Sequence, residues 1–256
     1  MTYRLAQDDS GCVVLETARL RLRRPSDADI VPSFAFWSSD RSHMMGGPWT
    51  MEQVRAETQG LHDQWAKHGF SLFTVTRQGS DDGIGGIGPF FPDTHPEPEL
   101  GWSLWSAADE GQGLAYEAAA AARDWFFATS GHETAVSHTD PHNTRSHRLC
   151  ERLGGVVDPD APHPYGDEPN LVYRYHRGPH DHAPRPYRTC LRPRDPDRAS
   201  APADAGPGRF CASSGLLRRR AFSLGRRALH RRRSLAHLRL GSRAMAADGL
   251  WPLLGR

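Results

Sequence analysis

A glycine-containing turn between a strand and an alanine-rich helix constrains the fold of this chain more than any other stretch. The turn is EGQGLAYEA at 110–118, and the segment before it, EPELGWSLW at 97–105, reads as a strand. After the turn, the alanine run 118–122 has high intrinsic helix propensity, and apolar residues recur at helical spacing up to Ala128. A strand, a tight turn and a long helix in this order predict a domain of packed sheet and helix layers.

The remaining segments extend this pattern on both sides of the turn. Strands are predicted at 16–25, 70–76, 84–91, 97–105, 133–139 and 171–176. Helices are predicted from an N-cap at Ser26 towards Trp37 and at about 51–67. A third helix follows the turn and ends at Gly131 or His132, and a fourth runs from an N-cap at Asn143 through Leu153. Because strands alternate with helices around the middle of the chain, the predicted fold class is α/β or α+β, in a domain that ends near His176.

The turn itself predicts an anion site. The alternating Gly111 and Gly113 let main-chain N–H groups point towards one place, and the positive end of the following helix favours negative charge there. A pyrophosphate is the natural ligand for such a site, although a purely structural turn is the alternative for so short a motif. The stretch lacks the further glycine of a dinucleotide fingerprint and the Gly-Lys-Ser/Thr of a P-loop, which disfavours NAD and ATP.

Several motifs in one order resemble the GNAT superfamily of N-acetyltransferases, and in particular its ribosomal-protein N-terminal acetyltransferase-like branch. The matching residues are Glu99–Trp102, Gly111–Ala118, Asn143 with Ser146, and Leu153-Gly154, after an opening ETARLRLR at 16–23. The resemblance covers about residues 15–176. It implies an N-acetyltransferase domain at 1–176, an α+β fold of three α/β/α layers, with a mixed, mostly antiparallel twisted sheet flanked by helices.

The resemblance also implies acetyl-CoA as co-substrate, no metal, and transfer of the acetyl group to a primary amine by direct attack in a ternary complex. The implied cofactor-binding residues are Leu104, Trp105, Gly111, Gln112, Gly113, Leu114, Ala115, Tyr116, Asn143 and Ser146. The backbone amides of 111–116 would hold the pyrophosphate, and the main chain at 104–105 would pair with the pantetheine arm. Asn143 and Ser146 would reach the arm from the other side, and helix capping is their alternative or additional role. Glu110 departs from the Arg or Gln that many members carry there, which removes a phosphate contact but leaves the backbone amides.

The reaction needs a neutral amine, so a group must accept the proton of the ammonium. Glu99 is the predicted base, directly or through water, because it lies on the strand beside the reactive end of the cofactor. A solvated or salt-bridged glutamate is the alternative. Ser146 or Tyr116 is the predicted donor to the leaving thiolate. Alignment and amine desolvation can supply much of the rate enhancement, so no single residue need be essential.

Other candidate residues give weaker indications. Cys150 lies on the apolar side of its helix and is interpreted as a core residue rather than a nucleophile. Met44, Met45 and Trp49 are interpreted either as walls of an acceptor pocket or as plain core contacts. The histidines His176, His180 and His182 lie among proline and glycine and are interpreted as flexible residues, not metal ligands.

The charge balance divides the chain near residue 177. Residues 1–176 carry 13 Arg and one Lys against 25 acids, whereas 177–256 carry 18 Arg against five Asp and contain no Lys, Glu, Ile or Asn. The basic C-terminal segment is predicted to be disordered or partly helical, or to be a frameshift or readthrough extension. It also supports an alternative function, a catalytically silent acyl-CoA-binding module whose basic tail binds nucleic acid or an anionic surface.

The sequence carries no recognisable membrane or secretion signal. No apolar run is long enough to span a bilayer, and the first residues lack the order of a signal peptide, so a cytoplasmic protein without a membrane partner is predicted. For the transferase interpretation, the acceptor is a small-molecule amine or a protein N-terminus, and nucleic acid is not an expected partner. The acidic body favours a cationic acceptor. Either a monomer or a homodimer is expected.

Overall fold

A computed structural model of the chain describes residues 3–162, 164, 166 and 169–178. Apart from Arg177 and Gly178, the predicted basic tail lies outside the described residues, and so do His180 and His182. The interpretations of that segment therefore stay predictions. Within the described part of the chain, every helix is too short or too polar to cross a membrane.

The described residues form nine strands and four α-helices. The strands are β1 (Arg4–Gln7), β2 (Val13–Glu16), β3 (Leu20–Arg23), β4 (Phe73–Arg77), β5 (Gly83–Phe90), β6 (Glu99–Leu104), β7 (Thr134–Thr139), β8 (Val156–Val157) and β9 (Leu171–His176). The helices are α1 (Ile30–Trp37), α2 (Met51–His68), α3 (Leu114–Thr129) and α4 (Thr144–Arg152). Each predicted helix and strand is present with ends shifted by a few residues. One difference is the predicted strand 16–25, which divides between β2 and β3 because the chain turns at residues 17–19.

The nine strands form one sheet in the order β1-β2-β3-β4-β5-β6-β7-β9-β8. All neighbouring pairs are antiparallel except β6 and β7, which run parallel. A parallel neighbour requires a crossover connection, and α3 supplies it. The mixed, mostly antiparallel sheet flanked by helices is thereby confirmed.

The helices cover opposite faces of this sheet. Phe73 of β4 points to the α3 side, where its ring packs edge-on against Trp125 of α3. The next residue, Thr74, points to the other side, where its hydroxyl donates a 2.9 Å hydrogen bond to Asp29 before α1. Cys150 of α4 belongs to the same hydrophobic core as Trp125. Helices α3 and α4 therefore lie on one face and α1 on the other. Helix α2 begins on the α1 side, where Val54 and Glu57 lie near Thr74, and its last turns reach the α3 side, where Trp65 packs against Phe73 and Trp125. Helices thus flank both faces of the sheet, as predicted.

The parallel pair β6 and β7 separates part-way along its length. The two strands pair at Glu99 opposite Val136, and the Ser137 hydroxyl donates a 2.6 Å hydrogen bond to the Leu100 carbonyl. Beyond Leu100, no further pair joins β6 to β7 among the residues described. This separation leaves the C-terminal half of β6 with an open edge beside the start of α3.

Candidate active site

The turn before α3 has the backbone conformation that the two glycines predict. Gly111 and Gly113 adopt φ values of +73° and +75°, in the left-handed region that L side chains rarely enter. Gly113 is the N-cap of α3, and the first main-chain bond of the helix runs from Glu117 N–H to its carbonyl. No described residue accepts a hydrogen bond from the six N–H groups of 111–116. Six main-chain donors at the positive end of a helix fit a diphosphate.

Space around the turn is open to such a ligand. A Cβ built on Gly111 would meet no atom within 4 Å, and one built on Gly113 would meet only the Arg19 guanidinium, at 3.7 Å. No side chain of the described residues plugs the turn. The geometry therefore leaves room for an anion at the place where the donors point.

A buried carboxylate fixes this turn to the N-terminal part of the sheet. Glu117, in the first turn of α3, accepts a 2.6 Å hydrogen bond from the Thr17 hydroxyl and a 3.0 Å bond from the Arg19 N–H. The Arg19 guanidinium bonds the same carboxylate and also donates to the Gln112 carbonyl at 3.0 Å. Burial opposes ionisation, but the hydrogen bonds from Thr17 and Arg19 outweigh it and hold the pKa of Glu117 below its ordinary value.

Ion pairs surround the turn and neutralise its acids. Glu110 pairs with Arg41 and with Arg145, the latter at 2.6 Å. Asp109 pairs with Arg77 at 2.7 Å. Because each acid beside the turn has a cationic partner, the Glu110 departure from the usual residue does not leave an uncompensated negative charge near a bound anion.

The main-chain groups of the even-numbered residues of β6 form its open edge. The Trp105 N–H donates a 2.9 Å hydrogen bond to Ile84 in β5, so the main chain at Trp105 faces β5. Alternation along an antiparallel pair then directs the main-chain groups of Leu104 and Trp102 to the edge next to β7. Arg41 donates to the Leu104 carbonyl at 3.0 Å, which leaves the Leu104 N–H as the donor at that end of the edge.

Helix α4 borders the same opening. Asn143 is its N-cap, and the Asn143 side chain accepts a 3.1 Å hydrogen bond from the Ser146 N–H, so the capping role is present. The Ser146 hydroxyl oxygen accepts a 3.2 Å bond from the Trp102 indole on β6. The Arg152 guanidinium stacks 4.0 Å from the centre of the Tyr116 ring on α3. Residues from β6, α3 and α4 thus meet around the opening.

Glu99 lies at the start of β6 and is 6% exposed. One oxygen, Oε2, lies 3.2 Å from His95 Nε2, and the other accepts a 3.5 Å hydrogen bond from the His138 N–H. The His138 ring nitrogen Nδ1 is 3.2 Å from the Asn170 amide nitrogen. The carboxylate is therefore part of a buried polar group with two histidines.

The other candidates have clear positions. Cys150 is fully buried in the core, and burial raises the pKa of its thiol to about 12, as suits a packing residue. Trp49 is buried and stacks on Trp37, with ring centroids 3.9 Å apart, and Met45 packs against this cluster. Trp49 and Met45 are therefore core contacts, which is one of the two predicted roles. His176 is exposed at the end of β9.

A cavity on the α1–α2 side of the sheet contains a residue that the sequence reasoning missed. Three tryptophans are among the residues that line it. Those tryptophans are Trp37, Trp102 and Trp105. Glu57 of α2 lines the cavity too, and burial raises the pKa of its carboxyl to about 8. One feature of the sequence could have identified Glu57. It lies between Val54 and Leu61 on the inward face of α2, where an acidic residue is uncommon.

Known proteins with similar sequences and folds are acetyltransferases. The family described as acetyltransferase (GNAT) domain matches residues 19–156. An acetyltransferase from Agrobacterium tumefaciens is 38% identical, with a TM-score of 0.60 over 64% of this chain and 94% of that one. A putative GNAT-family acetyltransferase from Bordetella pertussis is 26% identical, with a TM-score of 0.54 over 63% and 98% of the two chains. RimL, a ribosomal α-N-protein acetyltransferase in complex with coenzyme A, shares the fold at 14% identity, with a TM-score of 0.51 over 62% and 95%.

Proposed function

The chain belongs to the GNAT acetyltransferase family and is an acetyl-CoA-dependent N-acetyltransferase, and we propose that it transfers the acetyl group to a primary amine by direct attack within a ternary complex. The proposal rests on the six main-chain N–H groups of 111–116. None of them donates a hydrogen bond to a described residue. These donors and the helix dipole suit the pyrophosphate of acetyl-CoA. When bound, acetyl-CoA supplies an activated acetyl thioester.

The open edge of β6 is the proposed place for the pantetheine arm. The Leu104 N–H is the main-chain donor offered there, since Arg41 holds the Leu104 carbonyl and β5 holds the Trp105 N–H. Ser146 and Asn143 border the arm from α4. Leu104 therefore contributes a main-chain hydrogen bond, whereas the contribution of Trp105 is its side chain in the adjoining cavity.

Ser146 is the proposed proton donor to the departing thiolate, with Tyr116 as the second candidate. The Ser146 oxygen accepts a hydrogen bond from Trp102, which leaves the hydroxyl hydrogen available for donation. The Tyr116 ring is held by Arg152, and its hydroxyl has no hydrogen bond with the described residues. The thiol of coenzyme A leaves with the proton that such a donor supplies.

Glu99 is the proposed acceptor of the ammonium proton, through water, because its carboxylate is buried beside His95 and His138. We expect Glu99→Gln to lower kcat about 100-fold, since a positioned base contributes that order of rate. Acetyl-CoA affinity should not change, because Glu99 lies at the opposite end of β6 from Leu104. The measurement is steady-state turnover together with calorimetric titration of acetyl-CoA.

His95→Asn provides the matched control for that variant, because it breaks the same pair and leaves the carboxylate in place. The role of Glu99 as proton acceptor is supported if His95→Asn keeps its activity with a displaced pH profile and Glu99→Gln loses its activity. Equal and small effects of both substitutions on kcat would show that the pair only stabilises the fold.

The function itself is tested on the full chain in two steps. Calorimetric titration with acetyl-CoA should show saturable binding at one site per chain. A peptide with a free N-terminus, an alkylamine and an aminoglycoside are then each incubated with acetyl-CoA, and free thiol is followed over time. Absence of acetyl-CoA binding would reject the proposal, and binding without thiol release from any amine would reject amine acetylation.

A further inference from the structure

The last hydrogen bond between β6 and β7 marks the point where the two strands come apart. The Val136 N–H donates a 3.0 Å hydrogen bond to the Pro98 carbonyl, and Glu99 pairs with Val136. Along a regular parallel pair, such donation from one strand to the other recurs every second residue. The next bond of the ladder would therefore run from the His138 N–H to the Leu100 carbonyl.

Two side chains take the place of that main-chain bond. The Ser137 hydroxyl donates a 2.6 Å hydrogen bond to the Leu100 carbonyl, and the His138 N–H donates instead to Glu99 Oε1, at 3.5 Å. Ser137 is 1% exposed and Leu100 is 3% exposed, so bulk water does not supply these partners. Each half of the replaced bond is thereby satisfied although the strands have separated.

Tyr175 of β9 orients the Ser137 hydroxyl. The Tyr175 hydroxyl oxygen lies 3.2 Å from Ser137 Oγ. Because the single hydrogen of the Ser137 hydroxyl is directed to Leu100, the Tyr175 hydroxyl is the donor in this contact. Burial raises the pKa of Tyr175 well above its ordinary value, so this donor stays protonated at neutral pH.

The separation of the strands determines which main-chain groups of β6 reach the open edge. In a continued ladder, the bond after that of Leu100 would run from the Trp102 N–H to the His138 carbonyl. With the strands apart, the Trp102 N–H faces the same open edge as the Leu104 N–H. The hydroxyl of Ser137 therefore keeps a second main-chain donor beside the place proposed for the pantetheine arm.

We propose that Ser137 is a positioning residue of the transferase, which together with Glu99 replaces one bond of the β6–β7 ladder and so keeps the Trp102 N–H available to acetyl-CoA. This rests on the proposed function and adds a residue of β7 to the cofactor site. Glu99→Gln retains an acceptor oxygen for the His138 N–H, so that substitution leaves the strands apart.

NMR measurement of scalar coupling across hydrogen bonds tests the separation without any ligand. In the isotope-labelled full chain, the wild type should show no coupling between the His138 amide nitrogen and the Leu100 carbonyl carbon. In Ser137→Ala the buried Leu100 carbonyl loses its partner, which is costly, so we expect the ladder bond to form and the coupling to appear. A coupling in the wild type, or its absence in Ser137→Ala, would overturn the inference. The wild-type measurement does not depend on the folding of any variant.

Thr139→Val is the matched control for Ser137→Ala. It removes a buried hydroxyl from the same strand, but one that donates a 2.9 Å hydrogen bond to the Leu171 carbonyl of β9 rather than to β6. Ser137→Ala should bind acetyl-CoA about tenfold more weakly, as expected for one main-chain hydrogen bond, with a matching rise in the KM for acetyl-CoA and none in the KM for the amine. Thr139→Val should keep the wild-type affinity. Ser137→Thr retains the hydroxyl and should recover the affinity.

The outcomes separate this inference from the proposed function. Absence of acetyl-CoA binding in the wild type would count against the proposed function, whereas the NMR couplings judge the role of Ser137 independently. If Ser137→Ala keeps the wild-type affinity, or Thr139→Val loses as much, the Ser137 hydroxyl only stabilises the fold. An equal loss in Ser137→Thr would assign the effect to packing and would also overturn the inference. Circular dichroism of each variant establishes that it is folded.

Discussion

Replacing Gly113 with aspartate is expected to weaken acetyl-CoA binding by about a hundredfold. The new carboxylate lies at the N-cap of α3, beside the six main-chain donors. Two like charges about 4 Å apart repel by about 4 kcal/mol at the effective dielectric of a protein surface. The Arg19 guanidinium, 3.7 Å from a Cβ at this position, offsets part of that repulsion. A remaining repulsion of about 3 kcal/mol corresponds to roughly two powers of ten in Kd. Aspartate tolerates the left-handed backbone of Gly113 better than most residues, and a carboxylate stabilises a helix start. Calorimetric titration measures the change.

Gly131→Asp is the matched control for this substitution. Gly131 adopts φ +78°, and a Cβ there would meet no atom within 4 Å, so the local backbone cost is the same. It follows the other end of α3, roughly 25 Å from the turn, where added charge is screened. Wild-type affinity in Gly113→Asp would show that the pyrophosphate does not bind at this turn.

Glu57→Gln is expected to alter how stability depends on pH. Burial raises the pKa of Glu57 from 4.5 to about 8, so the folded state binds more protons than the unfolded state between these values. The stabilising contribution of the protonated carboxyl is complete below pH 4.5 and is lost as the pH rises through about 8. The wild type should therefore lose roughly 4 kcal/mol of unfolding free energy from pH 5 to pH 9 through this group, and Glu57→Gln should not.

Urea unfolding of the full chain at several pH values between 5 and 9 measures this difference. The Glu52→Gln variant should follow the wild type throughout, because Glu52 is exposed in the first turn of α2. Parallel stability curves for wild type and Glu57→Gln would mean that Glu57 titrates normally in the folded protein.

Most of the architecture follows from local patterns in the sequence. The helix ends carry their own signals: Thr50 caps α2, Asn143 caps α4, and Gly154 takes the left-handed position after α4 with φ +82°. The strands β4 to β7 and β9 follow from short runs of apolar and β-branched residues. Strand β8 has only two residues, Val156 and Val157, which is too short for any periodicity to be detected.

The site was predictable only where it depends on backbone conformation. The glycines of the turn predict their own left-handed geometry, and their φ values agree. The partners of side chains were not predictable, since they come from distant segments: Arg41 reaches Leu104 across 63 residues, and Thr17 reaches Glu117 across 100. Glu57 was missed for the same reason, because its lack of a partner is a property of the packed interior.

The contact between Thr17 and Glu117 has a consequence for how the binding turn forms during folding. It closes a loop of 100 residues, so the entropy of that closure is lost before the contact contributes any stability. The hydrogen bonds that Thr17 and Arg19 donate to Glu117 therefore form only when the β2–β3 hairpin docks against α3. A shortened chain that begins after β3 would keep both glycines and all six donors of the turn, yet would lack these two contacts.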